Sequence, residues 1–317
     1  MNDHSLETLR RVCLKPDPGR MGTWTARRWG RPAALRVTRV VATWGWSANT
    51  ATRAACLTAV AACAAACFGG PWSLPAAVGL WHLWYVLDHV DGQLARLRKA
   101  ASLDGAAWDY LMHHGVNLFL PLSLGFGLQR RTGSSIWMLL GAAWGGGTLL
   151  LGLRHDVARY KAFVQRLKRL HGELRVVGGG AERPQPGGLP TASWRRRCAW
   201  VVMKTYETHT VIGVLTLIAV AGILSETIGD SLLRIYVALL ALPAPWVAVF
   251  HIRRMLRQNQ AEHEFSAWFR VPEDATLEFR DGWWYVESLG DGTAGISFHT
   301  SPANRAASPH DELVRPS

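Results

Sequence analysis

Six apolar segments, each close to the length that crosses a lipid bilayer, constrain the fold of this chain most. They lie at about 53–70, 73–94, 105–128, 135–153, 208–226 and 231–251. A helix of about 20 apolar residues spans the hydrocarbon core of a bilayer. Hydrophobic residues make up 49% of the sequence, and 16 residues are Trp. The pattern therefore predicts an all-α membrane protein with six transmembrane helices.

The basic residues predict how these helices are oriented. The net charge is +12, and Lys and Arg concentrate before the first span, after the second, after the fourth and after the sixth. Under the positive-inside rule these regions face the cytoplasm, which places both termini there; only Arg130 and Arg131 disagree. This distribution fits contact with anionic lipids better than a nucleic-acid-binding surface. Membrane lipids, and not nucleic acid, are the expected partners.

Three regions follow from these patterns: a cytoplasmic N-terminus (1–45), a six-helix membrane domain (46–256) and a small polar cytoplasmic tail (257–317). Residues 24–44 mix Trp with Arg, which suits a helix lying in the membrane interface; a solvated basic helix is the alternative.

Two flexible segments and one hairpin are predicted outside the helices. Residues 178–188 are rich in Gly and Pro and predict a flexible loop, and residues 301–317 predict a disordered end. In the tail, residues 276–280 and 283–287 flank Asp281-Gly282, which is typical of a β-hairpin.

Acidic residues interrupt the apolar pattern at the end of the second span and within the third. The segment reads D-x-x-D-G-x-x-A-R, eight residues, then G-x-x-x-D-x-x-x-H, from Asp88 to His113. Carboxylates beside apolar helices are costly and usually face a cavity, a partner or a metal. Helical periodicity puts Asp88 and Asp91 on one face, and it puts Asp109 and His113 on one stripe of the next helix. The turn between the helices should bring these groups to one pocket.

The residue types in this segment suggest a ligand site. Carboxylate oxygens suit Mg²⁺, Mn²⁺ or Ca²⁺, and the group could share two cations. Small residues on the same faces leave room for a ligand, and Arg96 offers donors to phosphate. The alternative is a purely structural role, with Asp88 paired to Arg96 and small residues for packing. That alternative explains one or two positions but not the whole spacing.

The segment resembles the signature of the CDP-alcohol phosphatidyltransferase family, D-x-x-D-G-x-x-A-R-x(8–9)-G-x-x-x-D-x-x-x-D. Every fixed position agrees except the last, where His113 replaces an Asp. Six spans, cytoplasmic termini and an interfacial helix also agree with the family over about residues 24–256. Residues 47–52 resemble the family's P-N-x-x-T entry to the first span, with Ala in place of Pro.

The resemblance implies an enzyme of phospholipid biosynthesis. Such enzymes bind CDP-diacylglycerol, or less often a soluble CDP-alcohol; an acceptor hydroxyl attacks the β-phosphate, and CMP leaves. By position, the metal ligands for Mg²⁺ or Mn²⁺, with two ions expected, are Asp88, Asp91, Asp109 and His113. The substrate-binding residues that the resemblance and the spacing together suggest are Gly92, Ala95, Arg96, Ser102, Gly105, Asn49 and Thr52.

His113 leaves three interpretations open. A neutral imidazole can serve as the base that takes the acceptor's proton. It can instead ligate a metal and shift the preference from Mg²⁺ toward Mn²⁺. Or the substitution has ended catalysis, which leaves an inactive homologue with a lipid-binding, nucleotide-binding or scaffold role.

The motif does not determine the acceptor or the oligomeric state. The acceptor is undetermined among serine, glycerol phosphate, inositol phosphate and another lipid, because the motif marks the CDP half of the reaction. Gly141 and Gly145 have the spacing of small residues that permits close helix packing, including packing in a homodimer.

Overall fold

The structure is a computed structural model that describes residues 6–14, 23–172, 174–176, 193–271 and 275–288. The loop predicted at 178–188 and the chain end predicted to be disordered at 301–317 lie outside the described residues. The chain divides into two compact units, one of Met1–Leu151 with Gln185–Val249 and the other of Gly152–Pro184 with Phe250–Ser317.

The first unit is helical throughout its described residues. Its elements are α1 (Leu6–Cys13), a π-helical turn (Ala26–Gly30), α2 (Arg31–Thr43), α3 (Ala48–Cys67), α4 (Ser73–Leu97), α5 (Leu103–Thr132), α6 (Ile136–Leu153), α8 (Trp194–Thr205), α9 (Thr208–Leu224) and α10 (Glu226–Ala241), and α11 (Ala244–Arg257) runs from the first unit into the second. Serine side chains begin several of these helices. The Ser47 hydroxyl accepts a hydrogen bond from the Thr50 amide (3.1 Å), and Ser102 does the same for Gly105 (3.0 Å).

Among the residues that the structure describes, three helices are long and apolar enough to cross a membrane: Ala48–Cys67, Ile136–Lys168 and Glu226–Arg257. A fourth span results if Arg197–Thr205 and Thr208–Leu224, bent by 67°, count as one. These helices indicate a membrane protein, while six spans and the orientation stay predictions. The helices α4 and α5 are 25 and 30 residues long. They are absent from this set because the charged motif lowers their hydropathy.

The core that positions α4 consists mainly of alanines from α3 and tryptophans from α4 itself. Along α3, buried alanines recur every three or four residues, at Ala55, Ala59, Ala62 and Ala66, and this stripe packs against α4. Small residues let two helices approach closely. Trp81 and Trp84 of α4 are almost completely buried in the same core. The α4 backbone, which carries half of the motif, is therefore held firmly against α3.

The predicted interfacial segment is helical, as a π-helical turn followed by α2. Ala34 and Val41 on one face pack with Val86 and Val90 of α4. Its location in the membrane interface stays a prediction.

Gly141 and Gly145 face α5 of the same chain. A Cβ atom at Gly141 would lie 2.7 Å from the carbonyl oxygen of Pro121, and one at Gly145 would lie 2.6 Å from that of Leu118. Any larger residue would force the two helices apart. The spacing of these glycines is therefore explained within one chain, and it no longer supports a homodimer.

The second unit combines the tail with the connector after α6. Its elements are a π-helical turn (Arg154–Arg159), α7 (Tyr160–Lys168), β1 (Leu170–His171), β2 (Arg175–Val176), α12 (Gln260–Trp268), β3 (Phe269–Arg270), β4 (Ala275–Arg280) and β5 (Trp283–Ser288). The predicted hairpin is present as the antiparallel pair β4–β5, and Asp281 and Gly282 both have positive φ in its turn. Strand β1 pairs with β5 in parallel, and β2 pairs with β3. Within this unit the tail strand β5 therefore pairs with the connector after α6, and the domain boundary at residue 257 stays a prediction.

Candidate metal and nucleotide site

Three of the four predicted metal ligands meet between α4 and α5. The Nε2 atom of His113 lies 3.2 Å from Oδ1 of Asp88 and 3.3 Å from Oδ1 of Asp109. Each of the three residues offers one ligand atom, and these atoms all lie within 4.8 Å of one another. Asp109 and His113 are one turn apart on α5, so they project side by side toward Asp88 on α4.

The three side chains differ in their exposure to solvent. The Asp88 side chain is 8% exposed, whereas those of Asp109 and His113 are 44% and 41% exposed. The indole of Trp84 contacts the His113 imidazole edge to face, with 5.8 Å between the ring centroids. The cluster therefore combines one buried carboxylate with a carboxylate and an imidazole that solvent can reach.

His89 is a neighbour of the cluster that sequence reasoning missed. Its Nδ1 atom lies 3.4 Å from Oδ2 of Asp88, so that carboxylate has an imidazole on each side. The adjacency of His89 to Asp88 in the sequence was the available signal. Consecutive helical residues point about 100° apart, which made a contact between them unexpected.

The donor set fits a divalent cation. Among the described residues, Oδ1 of Asp88 is buried and makes no hydrogen bond of acceptable geometry, although His113 lies beside it. A buried carboxylate oxygen without such a bond is costly unless a positive charge compensates it. Two carboxylates and an imidazole are ligands that Mn²⁺ accepts, and the carboxylates alone suit Mg²⁺.

Asp91, the fourth predicted ligand, lies outside this trio and is tied to α3. The Thr52 hydroxyl donates a hydrogen bond to Oδ2 of Asp91 at 2.9 Å, and it also lies 3.1 Å from the carbonyl oxygen of Ala48. This bond joins residues 47–52 at the start of α3 to the motif, and the sequence patterns of the two segments do not predict it. Thr52 therefore contacts the motif through Asp91, and its predicted contact with the substrate stays a prediction.

Replacing Thr52 by valine should lower kcat/KM for CMP release by about 10- to 100-fold, because a hydrogen bond that orients a ligand carboxylate is lost. Thr58→Val is the matched control, since within the described part of the chain Thr58 donates to the Ala54 carbonyl on the same helix and not to a motif residue. A comparable loss in both variants would show that the helix, and not Asp91, is responsible.

Arg96 lies along the surface left open by Gly92. Its terminal nitrogens are 3.4 and 3.7 Å from the position that a Cβ atom would take at Gly92. Its Nε atom donates to the carbonyl oxygen of Cys13 at 2.6 Å. The Arg96 guanidinium is thus held through Nε, and its two terminal nitrogens lie beside Gly92 on the surface of α4.

The other predicted substrate-binding residues occupy helix ends. Ser102 and Gly105 form the N-terminal cap of α5, and a Cβ atom at Gly105 would lie 3.2 Å from the Ser102 hydroxyl. Asn49 is exposed in the first turn of α3, and Ala95 is half-buried near the end of α4. Helix capping explains Ser102 and Gly105. Contacts of these two residues and of Asn49 and Ala95 with a substrate stay predictions.

Comparison with known proteins addresses this same part of the chain. Residues 46–169 match the sequence profile of the CDP-alcohol phosphatidyltransferases, and this range contains all members of the cluster. A search of curated proteins gives no significant match. Residues 46–169 of this chain are therefore similar to the CDP-alcohol phosphatidyltransferase family, and this similarity supports the resemblance of the motif.

Proposed function

We propose that the protein transfers a phosphatidyl group from CDP-diacylglycerol, or from a related CDP-alcohol, to an acceptor hydroxyl and releases CMP. The observation that carries the proposal is the convergence of Asp88, Asp109 and His113 inside the segment that matches the family. The apolar helices support a lipid as one substrate.

Each polar group has a distinct role in this proposal. Asp88 and Asp109, with Asp91 beside them, would hold one or two Mg²⁺ or Mn²⁺ ions. Such ions neutralise a diphosphate and stabilise the charge that develops on the leaving group. The terminal nitrogens of Arg96 donate to the diphosphate oxygens, as charge-assisted hydrogen bonds. Thr52 holds Asp91 in its orientation.

In this proposal His113 takes the proton of the acceptor hydroxyl, and its contacts support that role. Its Nε2 faces the two carboxylates, which hold the ring and stabilise a positive charge on it. When Nε2 carries the hydrogen, Nδ1 is the nitrogen that can accept a proton. The side chain is accessible enough for an acceptor to reach it.

A binding role without turnover is the second candidate, and one observation favours it. The Nε2 atom of His113 contacts both Asp88 and Asp109, the two carboxylates that would hold the cation in the first candidate. A protein of this kind would bind the CDP-lipid and release no CMP.

The purified protein in lipid nanodiscs separates the two candidates. With CDP-diacylglycerol and Mg²⁺ or Mn²⁺, we expect CMP release that requires both the cation and an acceptor, tested with serine, glycerol phosphate and inositol phosphate. EDTA should abolish release. CDP-diacylglycerol binding without CMP release for any acceptor would establish the binding role, and no binding at all would contradict both candidates. Lipid analysis of cells lacking the protein would then identify the acceptor.

A further inference from the structure

The short N-terminal helix α1 is docked on the end of the motif helix. Its residues Leu9 and Cys13 are fully buried and pack with Leu35 of α2, and Leu97 at the end of α4 joins this cluster. The opposite face of α1 carries an exposed ion pair between Glu7 and Arg11. An isolated helix of 8 residues would be unstable in water, so α1 owes its helical structure to this docking.

The last residue of α1 makes the contact that matters for the site. The Cys13 carbonyl oxygen accepts a hydrogen bond of 2.6 Å from Nε of Arg96. The last carbonyls of a helix have no partner within the helix and carry its negative dipole end, so a cation is favoured there. Arg96 is adjacent to Leu97, so the apolar docking of α1 and this hydrogen bond support each other.

We infer that α1 is a positioning element of the nucleotide site, which presents Arg96 to the diphosphate of the CDP-substrate through the backbone carbonyl of Cys13. The inference rests on the proposed function. Asp88, Gly92 and Arg96 follow one another at four-residue intervals along α4, so they form one stripe. With Nε engaged by α1, the two terminal nitrogens remain for phosphate, and they lie beside Gly92.

This arrangement gives affinity by preorganisation. An arginine side chain has many rotamers, and holding it in its binding conformation removes that cost from ligand binding. Undocking α1 should therefore weaken binding of the CDP group while leaving the chemistry at His113 largely intact. The expected signature is a higher KM for CDP-diacylglycerol with a smaller change in kcat.

The test uses the full-length protein and CDP with Mn²⁺ as the probe, with calorimetry as the measurement. Leu9→Asp puts a charge into the buried face of α1, and we expect its CDP dissociation constant to rise about 10-fold through lost orientation of Arg96. Arg11→Ala, on the exposed face, should bind CDP like the unmodified protein. Arg96→Ala should weaken binding at least as much as Leu9→Asp, and adding Leu9→Asp to it should have little further effect.

A second measurement detects α1 docking independently of activity. In a variant with Cys56, Cys63, Cys67 and Cys198 replaced by serine, the buried Cys13 should react slowly with a thiol reagent. Bound CDP should slow this reaction further, because docking of α1 and binding of CDP each favour the other to the same extent. The factor by which CDP slows the labelling of Cys13 should therefore be comparable to the factor by which Leu9→Asp raises the CDP dissociation constant. If Leu9→Asp fails to fold, Leu9→Ala serves with the same two measurements.

The outcomes separate this inference from the proposed function. Two results would overturn the role of α1 alone. One is a loss of CDP affinity in the variant with both Arg96→Ala and Leu9→Asp that equals the product of the two single losses. The other is unchanged CDP affinity in Leu9→Asp although Cys13 is labelled rapidly. If the unmodified protein does not bind CDP, or if Arg96→Ala binds it normally, the nucleotide site itself is wrong and the inference falls with it.

Discussion

Replacing Asp109 by asparagine should reduce CMP release by about 100- to 1,000-fold, because the proposed function uses this carboxylate to hold the cation that would neutralise the diphosphate. Asparagine keeps the size of the side chain and removes its negative charge. Mn²⁺ binding, followed by electron paramagnetic resonance, should weaken in the same variant. Since that measurement needs no turnover, it tests the metal site separately from catalysis.

Asp104→Asn is the matched control for Asp109→Asn. Asp104 is an exposed carboxylate in the first turn of the same helix and is not part of the cluster. Its removal alters the charge near the helix N-terminus, an effect worth only a few tenths to about 1 kcal/mol. Activity and Mn²⁺ affinity close to those of the unmodified protein are therefore expected. Equal losses in both variants would mean that net charge, and not the cluster, controls the result.

The convergence of Asp88, Asp109 and His113 could be predicted because two simple rules suffice for it. Helical periodicity places Asp109 and His113 on one stripe, and the short connection between α4 and α5 turns the chain back, so that His113 reaches Asp88. The hairpin of the tail could be predicted for a similar reason, since the Asp281-Gly282 turn determines the pairing of its two strands.

Contacts between segments distant in the sequence could not be predicted in this way. The bond from Thr52 to Asp91 depends on how α3 packs against α4, and the bond from Arg96 to Cys13 depends on where α1 docks. The alanine stripe of α3 indicates which face of that helix packs but not that Thr52 meets Asp91, and the 8 residues of α1 are too few to predict where that helix docks. The strand β1 has only two residues, too few for any alternation, so its pairing with the tail was also missed. In each case tertiary packing, and not local preference, determines the structure.

The spans show a limit of a different kind. The motif's polar residues lower the hydropathy of α4 and α5, so these two of the six predicted spans are not among the candidate spans of the structure, and their crossing of the membrane stays a prediction. A polar stripe that faces other helices lowers the mean hydropathy of a segment without exposing charge to lipid. The burial of the Asp88 side chain on α4 illustrates this effect.

Replacing His113 by alanine should lower kcat by about 100- to 10,000-fold if its imidazole takes the acceptor's proton, the range typical of general base catalysis. His113→Asp, which restores the carboxylate that the family pattern has there, should recover most of this activity. Because it also makes the cluster all-oxygen, it should raise activity with Mg²⁺ relative to Mn²⁺. The measurement is initial CMP release with each ion, at saturating CDP-diacylglycerol.

His114→Gln is the control, since His114 is the buried neighbour of His113 on α5 and is not one of the three residues of the cluster. Thermal unfolding in detergent checks that each variant is folded. Full kcat in His113→Ala would exclude the base role and leave His113 as a group that only contacts the carboxylates. Activity that appears only in His113→Asp would instead identify the natural protein as the binding homologue, because one imidazole would then account for the missing chemistry.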